Sequence, residues 1–282
     1  MRRMSNLSVM ILCGRSPRHL YVANRLCANA RPVAIIQETG RYLTGKKIKQ
    51  WLKPRNLWRK TWRWLRDRRR YAGGDEASFF FGTSPPRLTR QDLVVEVAHI
   101  NHPEVAALAD QLKPDVIAVF GTSLIRSPLL AKGRLGVFNL HGGLSPHYRG
   151  ADCTFWALYN GAPDQVGCTL HVIDAGIDTG SLIAHICPEV GEGDNELTLF
   201  WRAVRDSAEA YVELLERLER GEHLGQQQGE RGNLYQVKQR GWREERQLAE
   251  RIQDGLLRGL QLPRRVRWFL AEQVPGKQPN SA

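Results

Sequence analysis

Short apolar runs alternate along the first two thirds of this chain with stretches whose apolar residues recur every three or four positions. Leu7–Cys13 and Pro32–Gln37 read as strands. Between them Gly14-Arg15-Ser16-Pro17 is a turn that feeds a helix through about Ala30. Strand, turn, helix, strand is the opening of a doubly wound sheet. The pattern resumes with a helix over Pro103–Leu112, a buried strand over Asp115–Phe120 and a helical turn at Pro128–Lys132. Val137–Leu140 and Val166–Ile173 are two further strands, bracketing a Gly/Pro-rich loop and a helix at Phe155–Tyr159. Leu182–Ile186 is another strand. Asp194 then opens a long helix to about Glu219, marked by Leu197, Phe200, Val204, Ala208, Tyr211, Leu215 and Leu218. Asp92–Val97 fits a strand or a turn. Gly73-Gly74 and Pro85-Pro86 make Ala72–Arg90 a loop that ends in a short extended piece. After the long helix the pattern predicts a turn or hairpin over Gln226–Gln236, a helix over Arg243–Leu260 and a short helix over Arg264–Glu272. The reading is α/β: a Rossmann-like, mostly parallel sheet with helices on both faces in residues 1–220, and a small, mostly helical C-terminal extension in 221–282.

Residues 41–90 interrupt the alternation. Trp51, Trp58, Trp62 and Leu65 fall on one face of a helix, with Pro54 placed to kink its start and basic residues on the other faces. Charge sharpens this. The net charge is +12, and 41–70 alone holds 13 Lys/Arg against one acid, Asp67, so the remainder of the chain is neutral. The segment is expected either to pack its tryptophans on the domain or to meet an anionic membrane surface or a phosphate. Five cysteines without a CxxC pair argue against a disulfide framework or structural zinc and suit a reducing compartment. No apolar run reaches the length of a membrane span. A cytoplasmic protein, peripheral at the inner membrane face through 41–70, is the expectation. The first turn has no G-x-G-x-x-G, and no Walker A motif occurs.

Candidate chemistry gathers between Gly136 and Gly180. Asn139 and His141 stand two apart at a strand end and so share a side. The loop Asp174-Ala-Gly-Ile-Asp-Thr-Gly180 follows the next strand and adds Asp178. An imidazole beside a carboxylate can hold or take a proton near neutral pH, and an asparagine amide can donate to a developing oxyanion. Neither is a strong nucleophile, so direct acyl transfer to an amine, or hydrolysis, fits. A metal held by His141, His147, His171 and Asp178 is a further option, but H-x₅-H across a Pro/Gly loop is no standard ligand spacing, and no metal is expected. Taken singly, His141 reads as a core histidine and Asp178 as a turn former; their joint occurrence favours a site.

The spacing N-x-H-x₄-P-x-x-R-G, followed some thirty residues on by D-x-G-x-D-T-G, resembles the tetrahydrofolate-dependent formyltransferase family, which includes methionyl-tRNA, glycinamide ribonucleotide and amino-sugar formyltransferases. It rests on Asn139, His141, Pro146, Arg149, Gly150, Trp156, Gly161, Gly167, Thr169, Asp174, Gly176, Asp178, Thr179 and Gly180, and covers about 90–205 well and 5–38 weakly. It implies a formyltransferase fold and 10-formyltetrahydrofolate as co-substrate. Asn139 would bond the formyl oxygen, His141 would stabilise the tetrahedral intermediate and help move the amine proton, and Asp178 would orient His141. Leu124, Arg126, Ile173 and Asp174 would flank the folate, and Pro146, Tyr148 and Arg149 would contact the acceptor. Many relatives carry serine where this chain has Gly143.

The acceptor is expected to be a small-molecule amine, that of a nucleotide- or lipid-linked amino sugar. The roughly sixty residues after the long helix fall short of the β-barrel with which the tRNA enzymes grip tRNA. Nucleic acid stays open only through the basic run, as a methionyl-tRNA formyltransferase-like activity. A non-catalytic membrane adaptor on the same fold and a deformylase using water are the other readings.

Overall fold

The computed structural model describes residues 4–40 and 75–271, together with Leu57, Trp58, Thr61, Trp62, Trp64–Arg66 and Arg68. Pro54, Trp51 and most of the basic run lie outside the described residues; the described positions from 57 to 68 are helical.

One eight-stranded sheet organises the molecule. Its spatial order is β3 (Val94–Val97), β2 (Arg31–Glu38), β1 (Ser8–Cys13), β4 (Val116–Phe120), β5 (Gly136–His141), β7 (Cys168–Val172), β8 (Leu182–Cys187) and β12 (Arg265–Trp268). The first five are parallel. From β5 onward each neighbour runs antiparallel. Strand β1 shows why the runs are continuously apolar: Val9, Ile11 and Cys13 join the core on one face, Met10 and Leu12 that on the other. Helices α1 (Pro17–Asn29) and α5 (Glu196–Glu219) cover the first face with Leu20, Ala23, Leu26, Val204, Ala208 and Leu215. Helix α3 (Pro103–Leu112) covers the second with Val105 and Ala109. Helices on both faces are as the sequence predicts.

Three expectations are corrected. Residues 72–90 are not all loop: Asp75–Phe81 is a helix, α2, because three consecutive phenylalanines have aromatic partners. Phe80 packs on Tyr21 at 5.1 Å and Phe79 on Trp201 at 5.7 Å. Arg264–Glu272 is not a helix: Arg265–Trp268 is the edge strand β12, whose Val266 and Trp268 pack on the core while Arg265 and Arg267 face water. The stretch 226–236 is no hairpin: β10 (Asn233–Tyr235) pairs in parallel with the short β6 (Tyr148–Gly150). The long helix starts at Glu196, two residues after Asp194, with Asn195 as N-cap in a capping box with Thr198. Asp194 instead accepts from Gly191 N–H and pairs with Arg202 at 2.8 Å. Helix α6 (Trp242–Gln253), the largest element of the C-terminal part, stops seven residues short of Leu260.

The site lies at the carboxyl ends of β4 and β5. There the Tyr211 hydroxyl inserts between the two strands, accepting from Val119 N–H (3.0 Å) and donating to Phe138 C=O (2.6 Å). Ligands of open α/β sheets bind at such strand ends.

Candidate active site

Antiparallel pairing of β5 with β7 sets the site. Asn139 lies opposite His171 and His141 opposite Thr169, so the side chains of Asn139, His141 and His171 share a face. Past β7 the loop 174–180 folds back over them. The Asp174 carboxylate braces it, accepting from Gly176 N–H (3.0 Å) and Thr179 Oγ1 (2.7 Å). Gln228 Nε2 donates to the carbonyls of Asp178 (2.9 Å) and Gly180 (2.7 Å). A Cβ at position 180 would lie 1.8 Å from the Val172 oxygen, so only glycine closes this loop. Asp178 itself is left-handed, with φ 51, a conformation that Asp tolerates better than most residues.

The result is a buried cluster. His141 Nδ1 lies 3.4 Å from Asp178 Oδ2, and His171 Nε2 lies 3.5 Å from Asp178 Oδ1. Asn139 Nδ2 lies 3.1 Å from His171 Nε2. Gly150 N–H donates to Asp178 Oδ2 at 2.9 Å. Two backbone carbonyls fix the imidazole protons, because a carbonyl only accepts. His141 Nε2 donates to Tyr148 O (2.9 Å), which leaves Nδ1 toward Asp178. His171 Nδ1 donates to Val172 O (2.8 Å), which leaves Nε2 to accept from the Asn139 amide. Asn139 is thereby oriented with one N–H still to give.

Burial pulls the His141 pKa below its usual value; the Asp178 charge opposes this and the neighbouring His171 adds to it. For Asp178, burial alone would raise the pKa, but His141, His171 and the Gly150 N–H outweigh it and bring the carboxyl down to about 2. The pair at neutral pH is a neutral imidazole facing a carboxylate.

This cluster closes one end of a cavity of about 410 Å³ walled by Val119, Leu124, Ile125 and Ile173. Through Phe120, Gly142 and Gly150 it meets a second cavity of about 500 Å³, lined by Arg18, His19, Glu76, Asp152, Glu196 and Arg240 among others. Among the expected ligand-binding residues, Leu124 and Ile173 face the first cavity. Asp174 acts on its loop. Arg126 faces a separate cleft beside Pro103 and Pro128. Pro146, Tyr148 and Arg149 line neither of the two joined cavities. The Tyr148 ring stacks on Tyr235 at 5.7 Å, and the Arg149 guanidinium donates to Gly232 O at 2.9 Å. The backbone of the same stretch reaches the cluster through Tyr148 O, which accepts from His141, and Gly150 N–H, which donates to Asp178.

Gly143 has a local cause. A Cβ there would lie 2.5 Å from Cys153 Cβ and 2.7 Å from Tyr148 O, the carbonyl that His141 uses. Cys153 Sγ lies 3.6 Å from His141 Nε2, and burial raises its pKa well above the usual thiol value. It is a packed thiol, not a nucleophile. Sequence reasoning weighed His171 only as a metal ligand and passed over Arg240. The first was signalled by its parity with Thr169 along a strand. The second is buried against Asp152, Glu196 and Glu245, in the stretch after the long helix, and nothing local marks it. Among the described residues no group of three or more His, Cys, Asp or Glu is arranged to hold a metal ion.

A family model described as formyl transferase matches residues 82–215. The methionyl-tRNA formyltransferase of Chlorobium chlorochromatii is 34% identical over 125 residues, 44% of this chain and 40% of that protein. That of Geobacter metallireducens is 37% identical over 130 residues, 45% and 41%. The matched stretches thus span about two fifths of these relatives' length. The crystal structure of a sugar N-formyltransferase from a Shewanella species superposes with a TM-score of 0.53 over 86% of each chain at 15% identity, a likeness of fold.

Proposed function

We propose, from the premise that residues 82–215 belong to the formyl transferase family, that this chain moves a formyl group from 10-formyltetrahydrofolate to the primary amine of a small acceptor, an amino sugar carried on a nucleotide or a lipid. One observation carries the reading: the convergence of Asn139, His141 and Asp178 at the end of an apolar slot, with His141 Nδ1 at 3.4 Å from Asp178 Oδ2. Walls of Val119, Leu124, Ile125 and Ile173 suit a flat folate ring with its formyl end at the cluster. The donor supplies an activated formyl group. Asn139, oriented by His171, donates its remaining N–H to the formyl oxygen as negative charge collects there, a contribution of roughly 3 to 4 kcal/mol in comparable sites. His141, neutral, takes the amine proton at Nδ1, and that proton passes to N10 of the donor as the formyl C–N10 bond breaks and tetrahydrofolate leaves. Asp178 stabilises the imidazolium so formed and is not itself protonated. No covalent enzyme intermediate is needed, and positioning supplies much of the rate. The catalytic unit is residues 1–220, with 221–271 bracing it through Gln228, Gly232 and Arg240.

The test is donor consumption. The purified chain is mixed with 10-formyltetrahydrofolate and amino-sugar nucleotides, glycinamide ribonucleotide or charged initiator tRNA, and released tetrahydrofolate is followed. Turnover with an amino sugar, reduced at least about 100-fold in His141→Ala, is expected. Formate release without any amine would instead mean hydrolysis, and tetrahydrofolate that fails to bind would end the transferase reading.

A second reading, methionyl-tRNA as acceptor, is favoured by the names of the relatives above and by the 13 basic residues of 41–70, which suit a phosphate backbone or an anionic surface. It expects turnover with the charged tRNA that falls steeply with salt.

A further inference from the structure

A third cavity lies beside the second. Its volume is about 550 Å³, and its walls are Trp62 and Leu65 from the helical stretch, Leu197 from the start of α5, and Trp242, Leu248 and Ile252 from α6. Its polar groups include Arg66 and Glu196. These two and Leu197 also line the 500 Å³ cavity, which in turn shares Phe120, Gly142 and Gly150 with the cavity lined by the His141 cluster. An acceptor whose amine stands at His141 would have its polar body in the middle cavity, and whatever continues beyond it would enter the apolar groove.

Resting on the function proposed above, we infer that this groove holds the hydrocarbon chain of the acceptor: the amine belongs to a lipid-linked sugar, and the groove takes the first methylenes of its lipid. Charge argues for this over a polynucleotide. The guanidiniums along the route already face carboxylates: Arg18 with Glu76 at 2.7 Å, Arg66 with Glu245 at 3.4 Å, and Arg240 with Asp152, Glu196 and Glu245 at 2.7–2.9 Å. A polyanion threaded there would meet four carboxylates, Glu76, Asp152, Glu196 and Glu245, whereas an alkyl chain in the groove meets indole and leucine. Exposure points the same way. Trp242, on the groove wall, is 56% exposed, and the helical stretch that supplies Trp62 leaves Trp58 70% and Trp64 56% exposed. Indoles with a basic neighbourhood suit the boundary between lipid and water, from which such a chain would be drawn.

The experiment measures chain binding apart from chemistry. Butyl, hexyl and octyl glucosides carry the chain and no amine, and their affinity for the full chain is measured by calorimetry below their micelle concentrations. Each added methylene that enters the groove is expected to tighten binding up to roughly fourfold, with a negative heat-capacity change. Ala249→Glu, at an exposed groove position, and Trp242→Ser are expected to flatten that dependence. Tetrahydrofolate affinity, read in parallel, checks that the variants are folded and the donor slot intact. An affinity independent of chain length, or a dependence unchanged in both variants, would overturn the inference. So would a dimer of the wild type that the variants dissociate, since a second copy would then own the groove. Chain dependence without tetrahydrofolate binding would instead defeat the proposed reaction, and tetrahydrofolate binding without chain dependence would defeat only the lipid.

Discussion

The proton on His141 Nε2 is committed to the carbonyl of Tyr148, which leaves Nδ1 as the atom whose charge the site controls. Burial lowers the His141 pKa and Asp178 partly restores it. The rate constant kcat/KM is therefore expected to be flat above the ordinary histidine value and to fall on the acid side, as Nδ1 becomes occupied. Asp178→Asn removes the opposing charge. Its acid limb should move to still lower pH, while the rate drops about 10²- to 10⁴-fold because the imidazolium loses its partner; profiles between about pH 5 and pH 8 decide both points. A limb moving upward would contradict the assigned proton positions. At this scale strand parity made Asn139 and His141 legible, and the Asp–Thr–Gly spacing did so for Asp178. Tyr148 O and Gly150 N–H reach the cluster through backbone, while the side chains of Tyr148 and Arg149 turn to Tyr235 and Gly232. His171 was legible only as a metal-ligand candidate, because its contact with Asn139 depends on lying opposite it, a pairing set by β5 and β7 together.

Elements from the C-terminal part were the least legible, because each takes its form from a distant partner. Arg265–Trp268 alternates arginine with apolar residues, the period of a strand, yet four residues are too few to choose, and the choice is made by β8 some eighty residues earlier. Helix α2 needed Tyr21 and Trp201 in the same way. Arg240 ties such elements together. Burial disfavours its charge, but Glu196, Asp152 and Glu245 outweigh this and raise its pKa. The Phe155 ring lies 3.9 Å beneath the guanidinium. Arg240→Met strips the cation from three carboxylates and is expected to cost about 3–5 kcal/mol, read as a lower urea midpoint. A neutral outcome would mean that the cluster relaxes into solvent.

Across the whole molecule two buried histidines set the acid limit. Burial, with Arg18 adding to it, brings His19 down to about 3, and burial brings His185 down to about 4 against the bond to Ser145 O. Unfolded histidines titrate near 6.5, so between that value and the folded ones the unfolded chain binds more protons, and stability falls as pH falls. By pH 4 each is expected to have removed about 3 kcal/mol. Denaturation curves at a series of pH values measure this, and His185→Gln should remove its share. The apolar strands and the helices that cover both faces of their sheet were readable because they follow from local periodicity; the neighbouring cavities were not, since they arise where α5, α6 and the loops meet. The braces Gln228 and Arg240 carry one more implication, for the order of synthesis. Ribosomes emit Asn139 and His141 about ninety residues before Gln228, a lag of roughly 5–20 s at ordinary elongation rates. Once made, loop 174–180 has no latch until Gln228 follows, and the β8 edge, a place where another chain could add, stays open longer still, until Arg265–Trp268 emerges. A polypeptide still being translated thus carries Asp178 on an unclasped loop until residue 228 is in place.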